Sequence, residues 1–185
     1  TITGCVSPIT ADNDAGDCGA LVTWVAPTVS DNCPGEIMTS THAPGSFFDV
    51  GITQVTYTAT DVSNNTSTCS FSVTVSDTEG PVIVCPTNVS NLACAGDIPA
   101  DYDLDGSNNG TAFAALAGAS ATDNCTATAD LDVSYSDTGT ITCAGGTITR
   151  TYTVTDGTAN SSQCTMTFTF DADTTAPTLT GTAYD

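Results

Sequence analysis

The stretch Asp-Tyr-Asp-Leu-Asp-Gly-Ser-Asn-Asn-Gly, residues 101–110, sets Asp101, Asp103 and Asp105 at alternate positions ahead of Gly106. That spacing lets three carboxylates converge on one hard cation while the glycine permits a tight turn, and Asn109 falls where a further oxygen ligand would stand. Calcium is the cation that such oxygen donors suit. Ala112 occupies the place of the last acidic ligand of an EF-hand, so the loop needs an oxygen from elsewhere in the fold. A solvated polar loop is the plainer reading of the same residues. More acids lie at turns near the ends of the strand-like segments: Asp31, Asp61, Asp77 and Glu79 in the first half, Asp123, Asp156 and Asp173 in the second. Each set is a candidate to gather where consecutive domains meet.

The charge balance favours a cation and excludes other partners. Among 185 residues there are 21 acidic groups and one strong cation, Arg150, for a formal net charge of −20. Nucleic acid and anionic membranes are bound through clustered Lys and Arg, so neither is expected here. Salt screens charges beyond about 8 Å but leaves neighbours within one loop repelling each other, and a bound divalent ion relieves that repulsion. Extracellular modules work with calcium dissociation constants of about 10⁻⁴ to 10⁻³ M. Acidity has a second use in solubility. No apolar run approaches the roughly 20 residues of a membrane span, and no signal-peptide pattern opens the chain. The segment reads as a piece of something larger.

Nine cysteines, with one histidine and no Cys-x-x-Cys pair, suit disulfides better than zinc. Disulfides place the protein in an oxidising compartment, at the cell surface or secreted. Nine is odd, so one thiol is free, pairs across chains, or lacks its partner. Catalysis finds little support. His42 sits in Thr-Ser-Thr-His-Ala-Pro-Gly with no nucleophile motif, no Gly-rich phosphate loop occurs, and nothing singles out two carboxylates for glycoside hydrolysis.

The elements that must position these groups repeat. Val55–Cys69 aligns without a gap on Arg150–Cys164 at an offset of 95 residues. Ser-Asp-Asn-Cys (30–33) answers Thr-Asp-Asn-Cys (122–125), Asp-Thr-Glu-Gly-Pro (77–81) answers Asp-Thr-Thr-Ala-Pro (173–177), and Thr-Ile-Thr-Gly (1–4) answers Thr-Leu-Thr-Gly (178–181). The expected organisation is one domain over 1–80, a second over 81–177 carrying the acidic insertion, and the start of a further repeat or an exchanged strand over 178–185. Residues 20–27, 53–61, 67–77, 147–156 and 163–173 alternate apolar with Thr or Ser, as half-buried strands do. Thr111–Ala119 makes a turn or two of helix or a loop. The fold expected is all-β: two tandem immunoglobulin-like antiparallel β-sandwiches, stapled by disulfides, with Trp24, Tyr57, Phe71, Tyr152 and Phe168 in their cores.

Residues 14–33 and 50–86 resemble a hyalin repeat (HYR) domain. They combine the Val-x-Trp strand, the Asp-Asn-Cys turn, the Gly-x-x-x-Val-x-Tyr strand and the closing Cys-x-Phe-x-Val-x-Val. The second half is similar to divergent HYR-like repeats of large bacterial surface adhesins of Bacteroidetes type. The resemblance implies an extracellular immunoglobulin-like module for adhesion or spacing, without enzymatic activity. Equivalent places in the two halves pair Cys33 with Cys69 and Cys125 with Cys164, and Cys5 with Cys18 completes the first half. Cys94 takes Cys143 or Cys85, with Cys143 preferred. The expected function is a structural repeat of a stalk, filament or adhesin, stiffened by calcium and disulfides, with neighbouring repeats or identical subunits as partners. The alternative is a module whose loops recognise a glycan or another surface.

Overall fold

The computed structural model describes residues 1–93, 97–99, 102, 104 and 108–175. Asp101, Asp103 and Asp105, Cys94 and the segment 178–185 lie outside them. The chain divides into two compact units, Thr1–Glu79 and Gly80–Asp185.

In the first unit β1 (Ile2–Thr3) pairs antiparallel with β4 (Thr28–Val29), and β3 (Gly19–Val22) with β6 (Ser46–Asp49). A four-stranded sheet runs β2 (Ile9–Asp12), β8 (Thr66–Ser76), β7 (Gly51–Thr60), β5 (Ile37–Ser40), with β2 parallel to β8 and the other neighbours antiparallel. The Thr-rich stretches become strands because every second residue is apolar and reaches the core. Val55, Tyr57 and Ala59 of β7 are buried, as are Cys69, Phe71, Val73 and Val75 of β8. Ala20, Val22 and Phe48 close the core from β3 and β6. Regular pairing of β3 ends at Val22, short of the expected Pro27. Trp24 just beyond it is partly buried, edge-on to Phe71 at 5.3 Å, and donates its indole N–H to the Tyr57 hydroxyl at 2.8 Å.

The second unit repeats the frame and changes the filling. β9 (Val82–Val84) pairs with β11 (Ser120–Thr122). The large sheet runs β10 (Val89–Leu92), β14 (Ser161–Phe170), β13 (Gly145–Thr155), β12 (Asp132–Thr142), again with its first pair parallel. Where the first unit has β3 and β6, helix α1 (Gly110–Ala114) supplies Phe113, and Tyr102, Leu104 and Leu116 join it in the core. Phe113 meets Tyr152 edge-on at 5.1 Å, and Tyr102 meets Phe168 at 5.5 Å. Both units are therefore β-sandwiches of immunoglobulin type.

The 95-residue offset puts Arg150 where the first unit has the fully buried Val55. Arg150 is 3% exposed. Its Nε and Nη2 donate to the two oxygens of Asp137 at 2.8 and 2.7 Å, directly across the β12–β13 register. Nη1 donates to the Tyr102 carbonyl at 2.8 Å, and the guanidinium lies 3.9 Å from the centre of the Tyr135 ring. A buried cation needs this many partners because its desolvation costs several kcal/mol.

The β7–β8 and β13–β14 hairpins close on matching aspartates. Asp61 accepts the amides of Ser63 and Asn65, both at 2.8 Å, and the Asn65 side-chain N–H at 2.7 Å. Asp156 accepts from Thr158 and Asn160 main chains at 2.8 Å each and from the Asn160 side chain at 2.9 Å. The bond from the Asn65 side chain, backed by the main-chain donors, holds Asp61 below the usual carboxylate range. At Asp156 burial pushes upward, but the Asn160 and Thr158 donors together outweigh it and the carboxyl is also lowered.

Two outcomes follow from these contacts. Asp137→Ala is expected to cost about 2–3 kcal/mol in urea unfolding, below the 3–5 of a fully buried pair because 34% of the Asp137 side chain meets water. Arg150→Met with Asp137→Val, which returns the site to the apolar state of the first unit, is expected to recover to within about 1 kcal/mol of the parent; a double variant as unstable as the single one would contradict this account. Asp156→Asn removes the charge to which those amides point and is expected to cost about 1–3 kcal/mol at neutral pH. Because the folded carboxyl is lowered, its contribution is complete above the ordinary Asp value of about 3.9 and is lost as pH falls through the folded value. The melting-temperature gap between parent and variant should hold from pH 7 to about 4 and close below that.

Candidate metal centre

The acids expected to gather do so in part. Asp77, at the end of β8, is 7% exposed and its Oδ1 accepts the Glu79 amide at 3.2 Å. Asp123 follows β11, and its Oδ1 accepts the amides of Cys125 and Thr126 at 2.9 and 2.7 Å. Asp156 opens the β13–β14 hairpin and is 6% exposed. Within the second unit Asp123 and Asp156 each offer a carboxylate oxygen within 4.8 Å of the other. Calcium–oxygen distances of 2.3–2.6 Å allow two ligands of one ion to lie up to about 5 Å apart, so the spacing fits a shared ion. Asp123 Oδ2 is buried and has no hydrogen-bond partner among the described residues. An ionised oxygen in that state is costly unless something positive meets it.

The remaining candidates stand apart from that group. Asp31 and Asp61 line an open pocket of about 110 Å³ in the first unit, with Glu36 and Asn65. Glu79 accepts the Gly16 amide at 2.8 Å and the Asn13 side chain at 3.3 Å, which fastens the 13–17 loop to the end of the unit. Asp173 is exposed and its Oδ1 accepts the Thr175 amide at 2.9 Å. Asn109 is the N-cap of α1, and its side-chain oxygen accepts the Ala112 amide at 2.9 Å. His42 lies against Phe48, ring centres 5.0 Å apart.

The disulfides differ from the expected pairing. Cys69 bonds Cys5, with Cα atoms 6.0 Å apart, and Cys164 bonds Cys85, at 5.5 Å. Cys18 and Cys125 are also disulfide-bonded. Cys33 and Cys143, both expected in bonds, are exposed and without a disulfide partner among the described residues. Cys69 faces the core from mid-β8, and the half-cystine that reaches it follows β1, whereas Cys33 points to water from the turn after β4. The missed signal was a further match between the halves: Ile2-x-x-Cys5 and Val82-x-x-Cys85 stand at the same distance from their opening strands. Closing loops with separations of 64 and 79 residues contributes about 4 kcal/mol each in the chain-entropy account.

Residues 1–75 match the HYR domain family. Hyalin of Strongylocentrotus purpuratus is 40% identical over 101 residues, 52% of this chain and 8% of that protein. Sushi, von Willebrand factor type A, EGF and pentraxin domain-containing protein 1 of Rattus norvegicus is 38% identical over 82 residues, 43% of this chain and 2% of that protein. The chain thus spans less than a tenth of either relative. Among solved structures, human mucin-like protocadherin EC1-2 aligns over 93% of this chain and 97% of that one, at 12% identity and a TM-score of 0.41. Protocadherin gamma B7 extracellular cadherin domains 1-4 align over 91% and 48%, at 13% and 0.39. No helix among the described residues is long and apolar enough to cross a membrane. The HYR match covers nearly all of the first unit, and the likeness of the second unit to bacterial surface adhesins stays an expectation from its sequence.

Proposed function

We propose that this chain is a structural repeat module of an extracellular, adhesion-type surface protein, a stalk, filament or adhesin segment whose partners are neighbouring repeats or identical subunits. Calcium and disulfides supply its stiffness. The HYR match and the two disulfide-closed sandwiches support the module reading. The observation that carries the calcium reading is the Asp123 and Asp156 pair of the second unit, with Asp123 Oδ2 buried and without a hydrogen-bond partner among the described residues. Arg150 is engaged with Asp137, so the counter-charge for these carboxylates is sought in solution. A divalent ion takes the two carboxylates and completes its shell with carbonyl oxygens or water.

Differential scanning calorimetry in 10 mM calcium and in excess chelator tests this. A dissociation constant near 10⁻⁴ M corresponds to about 2.7 kcal/mol at that concentration, a rise of roughly 10–20 °C for a unit of about 100 residues. Asp123→Asn keeps the oxygen that caps Cys125 and Thr126 and is expected to lose most of that rise. Equal melting temperatures for the parent in calcium and chelator would remove calcium from the account. Saturable binding by the parent in a glycan screen, with no calcium effect, would favour recognition through the loops instead.

A further inference from the structure

The sequence Asn-x-Ser/Thr begins at Asn64, Asn65, Asn88, Asn109, Asn124 and Asn160. It is the acceptor sequence for N-linked sugars in secreted proteins, and in a Thr-rich chain it also arises by composition. What separates these positions is the work their carboxamides already do. Asn65 Nδ2 donates to Asp61 at 2.7 Å, and Asn160 Nδ2 donates to Asp156 and Thr158 at 2.9 Å each. The Asn109 oxygen caps α1 through the Ala112 amide, and Asn109 is partly buried. Asn124 is partly buried, already has an interaction partner, and adjoins the half-cystine Cys125. The Asn88 oxygen accepts the Thr167 amide at 2.9 Å, which holds that side chain against β14. Among the described residues no hydrogen bond reaches the carboxamide of Asn64.

Asn64 stands in the turn of the β7–β8 hairpin, exposed, with a φ of 62°. Its main-chain N–H donates to the Asp61 carbonyl at 3.1 Å, while the Asp61 carboxylate is occupied by Ser63 and Asn65. A left-handed backbone position favours asparagine, which is one explanation for the residue. The second unit argues that the turn does not need it. At the 95-residue offset Ala159 takes the place of Asn64 with a φ of 73°, in a hairpin held by the same Asp and Asn bonds. Asn65 and Asn160 are the side chains that both turns use, and Asn64 is spare. Thr66, whose hydroxyl completes the acceptor sequence, opens β8 and is exposed. A sugar on Asn64 Nδ2 displaces no hydrogen bond of the turn.

We propose that Asn64 is the acceptor of an N-linked oligosaccharide carried by the turn of the β7–β8 hairpin. The proposal rests on the extracellular reading above, because such sugars are added to chains that enter a secretory pathway. The co-substrate is an oligosaccharide joined through a diphosphate to a lipid. Asn64 Nδ2 forms a bond to the anomeric carbon of the first sugar as the bond from that carbon to the diphosphate oxygen breaks. The lipid diphosphate leaves with the electron pair, Nδ2 gives up one proton, and nothing is oxidised or reduced. The same step on Asn160 takes an N–H that now serves Asp156 or Thr158, and on Asn65 it crowds a carboxylate 2.7 Å away. That difference selects Asn64 from its overlapping neighbour and from the matching turn of the second unit.

The test produces the full 185-residue chain behind a secretion signal in a eukaryotic cell that adds N-linked sugars. Enzymatic release of the sugars in heavy-oxygen water turns each asparagine that carried one into a labelled aspartate, which peptide mass mapping locates. The expected result is that Asn64 has the highest occupancy of the acceptor sequences, and that Asn64→Ala and Thr66→Val each abolish the sugar on this turn. Thr66→Val leaves the Asn65-x-Ser67 sequence intact, so its effect separates Asn64 from Asn65. Asn64→Ala copies the residue found at Ala159 and should be secreted with the Cys5–Cys69 and Cys85–Cys164 bonds formed, melting with the deglycosylated parent. A secreted, correctly bonded parent with no sugar on Asn64, or with higher occupancy at another asparagine, would overturn the proposal and leave the extracellular reading standing. So would a parent that melts lower with its sugar than without. A chain retained in the cell without those two disulfides would remove the extracellular reading, and the proposal with it.

Discussion

The carboxylate that accepts main-chain amides is the interaction on which both units depend. With 21 acids and one strong cation, ion pairing is not available to hold the charges. Asp14, Asp31, Asp61, Asp77, Asp123, Asp156 and Asp173 instead take N–H groups from the backbone of their own turns. Each such bond satisfies a donor that the turn would otherwise leave to water. The arrangement also sets a limit. Amides supply partial positive charge, so where carboxylates approach one another, as at Asp123 and Asp156, the field stays negative and invites a cation.

The exception shows the same constraint from the other side. Arg150 replaces a valine in the core, and the second unit reorganises around it: Asp137 and Tyr135 reach it from β12, and the Tyr102 carbonyl from outside the sheet. The carbonyl of Tyr102 also accepts the Tyr152 hydroxyl at 3.1 Å, so one acceptor serves the buried cation and the buried phenol together. The first unit solves its comparable problem with Trp24 donating to Tyr57. The strand frame is common to both units, while the polar contacts within the core are particular to each.

Strands, turns and the repeat were legible because they are written in local spacing. Alternation along β7, β8, β13 and β14 marks the buried face, and Asp-x-x-x-Asn at Asp61 and Asp156 marks the hairpins. Disulfide partners were not legible in that way. Cys33 and Cys125 look alike over four residues, yet their states differ, since bonding depends on what is brought near from a distance. The metal candidates divided on similar lines. The alternating aspartates at 101–105 made the sharper local signal, but Asp123 and Asp156 stand far apart in the sequence and meet through the fold of the second unit. Arg150 was visible as the sole strong cation, while its burial needed the register with Asp137 to be known.

Where the two units agree and disagree follows from two kinds of constraint. Their middles are unlike: β3 and β6 fill one core, α1 with Tyr102 and Leu104 the other. A sandwich core tolerates such exchange as long as its volume is filled and its polar groups are paired. Their hairpin turns are alike in detail, down to which carboxylate oxygen caps which amide at Asp61 and Asp156. Such a turn has no comparable latitude, because its amides need an acceptor at a fixed distance within the turn itself, so the same Asp and Asn recur while the core between them varies.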